Sequence, residues 1–243
     1  MKILPVLGKQ EGVQEYWEAM QLCGVEIDEK NPEYVVVLGG DGTFLGAERA
    51  HYKLGVPFVG VGFGHVNFLL NRSAGSAQDF VENLRKKEWI TFPIHGIEAQ
   101  ITTKHGVESG IAFNDVYLKS LDPTHIVRLE LKTNEYPQLE IVGDGVIVAT
   151  PQGSTAYNRS AGGTILPLGS ILWCLTGICT QKRLRVAVAH QKITIASHSN
   201  DVVFVTDNKI FHDVKEVVLT PSAYHGKICF GSHENFEQRR YES

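Results

Sequence analysis

The stretch from Val35 to Ala47, VVVLGGDGTFLGA, decides how the first part of this chain is interpreted. Its apolar start, Val35–Leu38, predicts a buried strand, and two glycines then allow a sharp turn because glycine tolerates positive φ. Backbone N–H groups at the start of the following helix would form an anion site that holds phosphate without side chains. A carboxylate, Asp41, nevertheless stands in this turn, and the loop has neither a lysine nor the G-x-x-x-x-G-K-[ST] pattern.

This loop alone leaves three chemical interpretations of Asp41 open. A carboxylate beside phosphate can bind the Mg²⁺ that accompanies ATP. It can also accept the proton of a hydroxyl group that attacks phosphorus. The third interpretation is structural, because an aspartate at this position can cap the helix and do nothing else.

Composition limits the classes of protein that the chain can represent. It has 243 residues, of which 43% are hydrophobic and 21% charged, as in an ordinary globular protein of one large domain or two small ones. The net charge of −4 argues against a broad nucleic-acid surface, which needs a basic patch. The four cysteines form no C-x-x-C pair, so we expect no zinc site and predict buried, reduced thiols.

Hydropathy predicts a soluble, cytoplasmic protein with no membrane partner. The opening residues MKILPVLGKQ lack the long apolar core of a signal peptide. No uninterrupted apolar stretch approaches the ~18 residues that a membrane-spanning helix needs.

Two periodicities divide the chain at about residue 94. Residues 1–93 alternate short apolar runs with helical patterns, which predicts an α/β nucleotide-binding domain with a parallel sheet covered by helices. The predicted helices are Gln10–Cys23, Thr43–Lys53 and Ala77–Lys87, and the predicted strands are Ile3–Leu7, Tyr34–Leu38 and Pro57–Val61.

The remaining residues, 94–243, predict a β-rich, sandwich-like domain. Apolar and polar residues alternate there with a period of two, as in Val127–Lys132. Asp207-Asn208 separates two apolar runs and predicts a hairpin turn. The charged tail, His233–Ser243, predicts a terminal helix or a frayed end, and it can pack back on the first domain.

A second loop, DGVIVATPQGSTAYNRSAGG from Asp144 to Gly163, repeats the change from an apolar strand to a turn. Ser154 or Thr155 would cap the short helix that follows. Hydroxyl groups, exposed backbone and the ring of Tyr157 together can hydrogen-bond the edge of a planar base and pack on its face. The alternative is a capped turn whose hydroxyl groups satisfy only local N–H groups.

The two loops together resemble those of the NAD kinase family. The resemblance is carried by GGDGT at residues 39–43, GH and FL at 64–65 and 68–69, ND at 114–115, TPQGSTAY at 150–157 and SAGG at 160–163. Lipid kinases and phosphofructokinases carry loops similar to GGDGT. The whole set in this order, from about residue 35 to 167, is typical of NAD kinases.

The resemblance implies transfer of the γ-phosphoryl group of ATP, or of polyphosphate, to the adenosine 2′-hydroxyl of NAD, which makes NADP. Asp41 would be the general base that accepts the hydroxyl proton. Mg²⁺ or another divalent cation would accompany ATP, and no side chain is assigned as a metal ligand. The implied substrate-binding residues are Gly40, Gly42, Thr43, Phe44, Asn114, Asp115, Asp144, Thr155, Ala156, Tyr157 and Ser160.

The resemblance also implies which part of the substrates each of these residues contacts. Those of the first loop would hold phosphate or diphosphate oxygens. Asn114 and Asp115 would bind the adenosine end, with Asp115 accepting from a ribose hydroxyl. Residues 155–157 would contact a base, and Asp144 would reach the nicotinamide end. The family fold is an α/β domain followed by a β-rich domain, through which family members form dimers and tetramers, so a homo-oligomer is expected.

The chain departs from the family pattern in places that leave other functions open. Asn67 replaces a usual glycine, although asparagine tolerates left-handed φ. Val142 stands where arginine is common, which puts one phosphate or carboxylate contact in doubt, and the match decays after Pro167. The alternatives are a catalytically weak sensor of NAD or NADP, and a lipid kinase that shares the GGDGT loop.

Overall fold

The computed structural model describes residues 1–72, 74–232 and 234–242. The chain forms two compact units, one of residues 1–94 with 224–243 and one of residues 95–223. The division predicted from sequence left residues 94–243 in one domain with a tail able to pack back. In the structure, residues 224–243 group with the first unit.

The first unit alternates strands and helices along the chain. It contains β1 (Lys2–Leu7), α1 (Val13–Leu22), β2 (Glu26–Ile27), β3 (Tyr34–Gly39), α2 (Asp41–His51), β4 (Phe58–Gly62) and α3 (Ala77–Lys86). It also contains the start of β5 (Ile90–Thr103), the end of β16 (Val214–Phe230) and α5 (Phe236–Glu242). A 3₁₀ turn, Tyr52–Leu54, follows α2 and ends at Gly55, whose φ is 67°.

The strands of the first unit form a parallel sheet in the order β2-β1-β3-β4-β16. On β3, Val36 pairs with Pro5 of β1 on one side and Val59 of β4 on the other. Every residue of β3 is buried, as expected of a central parallel strand with helices on both faces. The α/β class predicted for the start of the chain is therefore confirmed.

Two helices bury apolar faces in this unit. Val13, Trp17 and Met20 of α1 are buried at helical spacing. In α3, Phe80 and Leu84 join the same core, which also contains residues of β3 and β4. The first turn of α3 is closed by a reciprocal bond between Ser76 and Asp79, the capping-box arrangement.

The second unit is built almost entirely from strands. In chain order it contains most of β5, then β6 (Gly106–Ala112), β7 (Asp115–Ser120), β8 (Val127–Lys132), β9 (Leu139–Gly143), β10 (Gly145–Ala149), α4 (Tyr157–Ser160), β11 (Leu172–Ile178), β12 (Arg185–Ala189), β13 (Ile193–Ser197), β14 (Val202–Thr206), β15 (Lys209–Phe211) and the start of β16. A 3₁₀ turn, Gly153–Thr155, lies between β10 and α4.

These strands form two antiparallel layers with one shared core. One layer has the order β12-β11-β10-β7-β14-β15, and the other contains β16-β13-β8-β9, with β5 paired to β6. The shared cluster includes Leu118, Val148 and Phe204 from the first layer and Leu129 and Ile195 from the second. A core filled from two facing layers is that of a β-sandwich, so the predicted β-rich class is confirmed.

Some element boundaries differ from the predictions for local reasons. Helix α1 begins at Val13 instead of Gln10, because Gly12 has a left-handed φ of 83°. Helix α2 begins at Asp41 instead of Thr43, so the carboxylate lies in its first turn. The predicted hairpin is present, since Thr206 pairs with Lys209 across a two-residue turn.

Two further expectations can be compared with the structure. In the parts of the chain that the structure describes, no helix combines the length and apolar character needed to cross a membrane. All four cysteines are free, but only Cys174 and Cys229 are buried, whereas Cys23 is half-buried and Cys179 is exposed. The prediction of buried thiols is therefore wrong for Cys179, which lies beyond the end of β11.

Candidate active site

The first loop holds Asp41 by its carboxylate. Oδ2 accepts from the N–H of Phe68 at 3.0 Å, and Oδ1 accepts from the N–H of Leu69 at 2.8 Å. The N-cap position of α2 is occupied by Gly40, with no side-chain capping bond. Asp41 is therefore not the helix cap, and its half-buried carboxylate is oriented by two charge-assisted hydrogen bonds from another loop.

The loop that holds Asp41 is itself fastened at both ends. Asn67 has a left-handed φ of 52°, and its side chain donates to Gly64 O at 2.6 Å and accepts from Gly64 N at 3.1 Å. Asn71 donates to Gly60 O at 2.9 Å and accepts from Gly231 N at 2.8 Å. The asparagine at position 67 thus adopts the left-handed φ that this residue tolerates, and the two donors to Asp41 lie on a braced segment.

Two arginines of α5 lie near Asp41. Arg239 donates to Leu70 O at 3.3 Å and pairs with Glu234 at 3.3 Å, and the Arg240 side chain is fully buried. Burial lowers the pKa of both guanidinium groups, and the charge of Asp41 opposes that shift in each. Sequence reasoning missed this pair, whose only signal was two adjacent arginines in a charged tail.

The other predicted residues of the first loop have different environments. Gly42 is exposed, whereas the Phe44 side chain is fully buried with its ring 6.0 Å from that of Phe58. The N–H groups of Thr43 and Phe44 both donate to Gly40 O, at 2.9 and 3.1 Å. The position that presents both backbone and open space to an anion is therefore Gly42.

The second loop has a structural side and an open side. Ser154 is fully buried, and its hydroxyl group donates to Pro151 O at 2.7 Å and accepts from Leu166 N at 3.0 Å. Asn158 is also fully buried and accepts from Thr176 Oγ1 at 2.6 Å. These side chains hold the loop, and Thr155, Ala156 and Tyr157 remain partly exposed.

The Asn114–Asp115 turn packs directly against the second loop. Asp115 pairs with Ala149 at the end of β10, and Thr150 Oγ1 donates to Phe113 O at 2.6 Å. A Cβ atom at Gly153 would lie 2.0 Å from Asn114 O, so only glycine permits this approach. Among the described residues, Asn114 Oδ1 has no hydrogen-bond partner although the atom is buried. It is an acceptor available to a ligand.

Tyr157, at the partly exposed end of this loop, interacts with Tyr117 and with two acidic groups, Asp115 and Asp144. Burial, and then the charge of Asp207, raise the pKa of Asp115 to about 7. The Tyr117 and Tyr157 rings meet edge to face at 5.2 Å between centroids. Burial raises the pKa of Tyr157, and the charges of Asp115 and Asp144 add to the shift. Asp115 and Asp144, near opposite ends of β10, therefore both act electrostatically on Tyr157.

A cavity of about 380 Å³ opens next to Tyr157. Ser160, Cys179, Arg183 and Arg185 are among its lining residues, and its size falls within the range of small-molecule pockets. A hydrogen bond to Asp144 raises the pKa of the Cys179 thiol, which places Asp144 at this cavity. The cavity therefore adjoins three predicted residues of the second loop, Asp144, Tyr157 and Ser160, and two arginines that were not predicted as site residues also line it.

The raised pKa of Asp115 makes stability depend on pH. An aspartate ordinarily has a pKa of 3.8, so the unfolded chain loses this proton first and stability falls as the pH rises from about 4 to about 7. When the pH is raised from 5 to 8, we expect the free energy of unfolding of Asp115→Asn to increase by roughly 2 kcal/mol relative to that of the wild type. Urea unfolding at both pH values measures this, with Asp201→Asn, an exposed site, as the control. An equal pH dependence in wild type and Asp115→Asn would contradict it.

Comparison with known proteins identifies the family of the chain. Family models match residues 9–88 as an ATP-NAD kinase N-terminal domain and residues 113–222 as an ATP-NAD kinase C-terminal domain. The NAD kinase of Xanthomonas oryzae pv. oryzae is 33% identical over 217 residues, which cover 85% of this chain and 83% of that protein. The NAD kinase of Xylella fastidiosa is 34% identical over 227 residues, covering 89% and 84%.

Solved structures show the same fold. An Archaeoglobus fulgidus NAD kinase in complex with ATP aligns with a TM-score of 0.77 at 23% identity, over 98% of this chain and 96% of that chain. Yeast NADH kinase complexed with NADH aligns with a TM-score of 0.79 at 16% identity, over 99% and 86%. The fold and its matches define an enzyme of the kinase class. Within that class, the chain belongs to the NAD kinase family.

Proposed function

We propose that this enzyme phosphorylates the adenosine 2′-hydroxyl of NAD with ATP and so makes NADP. The observation that carries the proposal is the Asp41 carboxylate, oriented by two backbone N–H groups in the first turn of α2. The names of the relatives support the choice of substrates, since they are NAD kinases and one neighbour was solved with ATP.

Asp41 would act as the general base. It accepts the proton of the 2′-hydroxyl while the oxygen forms a bond to the γ-phosphorus, and the bond from that phosphorus to the bridging oxygen breaks to release ADP. A positioned base of this kind contributes about 10²–10⁴-fold in rate. The braces through Asn67 and Asn71 serve this role because they hold the two donors to Asp41 in place.

The second unit would bind the dinucleotide. The unpartnered Asn114 Oδ1 suits an amino group on the adenine edge, and Asp115 suits a ribose hydroxyl. The half-buried ring of Tyr157 provides a face for a base, with the backbone of residues 155–156 beside it. Asp144 and Ser160, at the adjoining cavity, would contact the nicotinamide end.

Magnesium would arrive with ATP. Among the described residues, no group of three or more histidine, cysteine, aspartate or glutamate side chains is arranged to hold a metal ion. We therefore propose that phosphate oxygens and water hold the cation, with no side chain assigned as its ligand. When bound, the ion neutralises charge on the transferred phosphoryl group. The proposal extends to polyphosphate as an alternative donor, to a homo-oligomer formed through the second unit, and to a cytoplasmic role in NADP biosynthesis.

Gly42 gives a test of the phosphate site in the first loop. Among the described residues, a Cβ atom at Gly42 would meet no other atom within 4 Å, and one at Gly46 in the same helix would reach only the Arg49 guanidinium, at 4.0 Å. Both alanine variants should therefore melt at or above the wild-type temperature, because alanine favours the helix by up to about 1 kcal/mol. Only Gly42→Ala should raise the KM for ATP, by roughly tenfold, because its methyl group keeps phosphate from the backbone.

Thermal melts and initial rates with varied ATP measure the two effects of these substitutions. Gly46→Ala is the matched control, since it adds the same methyl group to the same helix without facing the proposed phosphate. Equal KM values for ATP in Gly42→Ala and Gly46→Ala would argue against phosphate binding at residue 42.

A single assay tests the proposed reaction against the alternatives. The protein is incubated with ATP, Mg²⁺ and NAD, and NADP is measured with an NADP-specific dehydrogenase. NADP formation that depends on both substrates supports the proposal. Calorimetric NAD binding without any product would indicate a sensor, and phosphorylation of a lipid without NAD binding would indicate a lipid kinase.

A further inference from the structure

Asp207 reaches the dinucleotide site although it lies in a hairpin turn between β14 and β15. Its Oδ2 accepts from Phe113 N at 2.8 Å, and its Oδ1 accepts from Asn114 N at 3.1 Å and from Asp115 N at 3.3 Å. One carboxylate therefore binds three successive backbone N–H groups that are 92 to 94 residues distant in sequence.

The Asn114–Asp115 turn is thereby held from two directions. Asp207 holds its N–H groups, while Thr150 Oγ1 donates to the carbonyl oxygens of Phe113 and Asn114 at 2.6 and 3.0 Å. Both the donors and the acceptors of this short segment are thus engaged by side chains. Such a clamp fixes which way the Asn114 and Asp115 side chains point.

We infer that Asp207 is a positioning residue for dinucleotide binding, which holds the Asn114–Asp115 turn and places a negative charge beside the Asp115 carboxyl group. The inference rests on the proposed function. Asp207 would not touch the substrate, and it would act through the two side chains that do.

The charge of Asp207 also affects the ionisation of Asp115. Among the described residues, the titratable groups that face Asp115 are Asp207, Tyr117 on the same strand and Tyr157 on α4, and the facing segments of β10 and β14 contain none. Of these, only Asp207 is a carboxylate, and its charge raises the pKa of Asp115. Removing that charge should keep Asp115 ionised at lower pH.

Asp207→Asn tests the clamp, because it replaces the charged side chain with a neutral one of the same size. The amide has one acceptor oxygen, so its NH₂ group must face a backbone N–H that now has no acceptor. Loss of one hydrogen bond to a charged group is worth a factor of roughly ten or more in binding. We therefore expect the Kd and the KM for NAD to rise about tenfold, with kcat changed by less than about threefold.

The pH profile distinguishes positioning from a merely structural role. NAD affinity of the wild type should increase as the pH rises through about 7, because the ionised Asp115 accepts from ribose. In Asp207→Asn this inflection should move to lower pH, because the negative charge that disfavours ionisation of Asp115 is removed. Calorimetric NAD binding from pH 5.5 to 8.5 measures both the affinity and the inflection, and it requires no turnover.

Matched variants complete the design. Asp201→Asn makes the same substitution at the other end of β14, where Asp201 is exposed and its left-handed φ of 54° suits asparagine, so it should match the wild type. Asp207→Glu keeps the charge but lengthens the side chain, so it should weaken binding without moving the inflection. It also decides the question if Asp207→Asn does not fold.

Two results would overturn this inference. One is an Asp207→Asn protein with wild-type NAD affinity and an unmoved inflection. The other is an Asp207→Glu protein that binds NAD as tightly as the wild type. Failure of the proposed function is distinguishable, since it would appear as a wild-type protein that forms no NADP, whatever residue 207 is.

Discussion

Asp41→Asn is expected to lower kcat by about 10²–10⁴-fold, the contribution of a positioned general base. The amide cannot accept the proton of the 2′-hydroxyl group, so the reaction must proceed without that assistance. Most contacts to NAD lie elsewhere in the proposal, at Asn114, Asp115 and Tyr157, so the Kd for NAD should change by less than about threefold. Single-turnover rates and calorimetric NAD binding measure the two quantities independently.

Asp41→Asn should also reduce the stability of the fold, and this loss must be measured separately from the loss of turnover. Both carboxylate oxygens accept from backbone N–H groups, and an amide would turn its NH₂ group toward either Phe68 N or Leu69 N. That mismatch should reduce stability by about 1–3 kcal/mol, which a urea titration would detect. Asp79→Asn, at an exposed first-turn position of α3, is the control and should keep wild-type turnover. A wild-type kcat in a folded Asp41→Asn protein would rule out the assigned role.

Gly153→Ala is expected to disrupt the dinucleotide site more than Gly42→Ala or Gly46→Ala does. The added Cβ would lie 2.0 Å from the carbonyl oxygen of Asn114 and 2.7 Å from its Cα. Both contacts are to backbone, which cannot rotate away as a side chain can, so the two loops must separate. Overpacking of this kind typically costs about 1–3 kcal/mol, and a displacement near 1 Å can reduce turnover about 10²-fold.

The measurement for Gly153→Ala is kcat/KM for NAD together with the free energy of unfolding. We expect kcat/KM to fall about 100-fold while the protein remains folded at 25 °C. Gly46→Ala again serves as the control, because the same methyl group there would only touch the end of the Arg49 side chain, at 4.0 Å. Wild-type kcat/KM in Gly153→Ala would show that contact between the loops does not organise the site.

Local sequence patterns predicted most of the architecture. The run Tyr34–Leu38 has only apolar side chains, and in the structure it lies in a strand buried on both faces. Apolar and polar residues alternate strictly over Val127–Lys132, and in the structure buried residues alternate with exposed or half-buried ones along β8. Each pattern repeats over several consecutive residues, so tertiary contacts reinforce what local sequence already favours.

The candidate site was only partly predictable. Asp41, Asn114 and Tyr157 lie in short motifs whose residue types suggest their chemistry, and these motifs could be recognised in sequence. Asp207 could be predicted as a turn residue but not as the acceptor for three N–H groups some 90 residues away. In the sequence, Arg239 could be recognised only as a charged residue of the tail, and nothing indicated its hydrogen bond to Leu70 O.

The sequence by itself determined the two kinds of layer, the order of the loops and the residue types that bear the chemistry. These properties depend on neighbours in the chain, through side-chain period, glycine turns and capping groups. Only the tertiary structure decided which carboxylate serves as an oriented acceptor, which as a clamp and which has a raised pKa. A hydrogen bond between a side chain and a distant backbone group leaves no periodic trace, because it depends on two strands meeting in space.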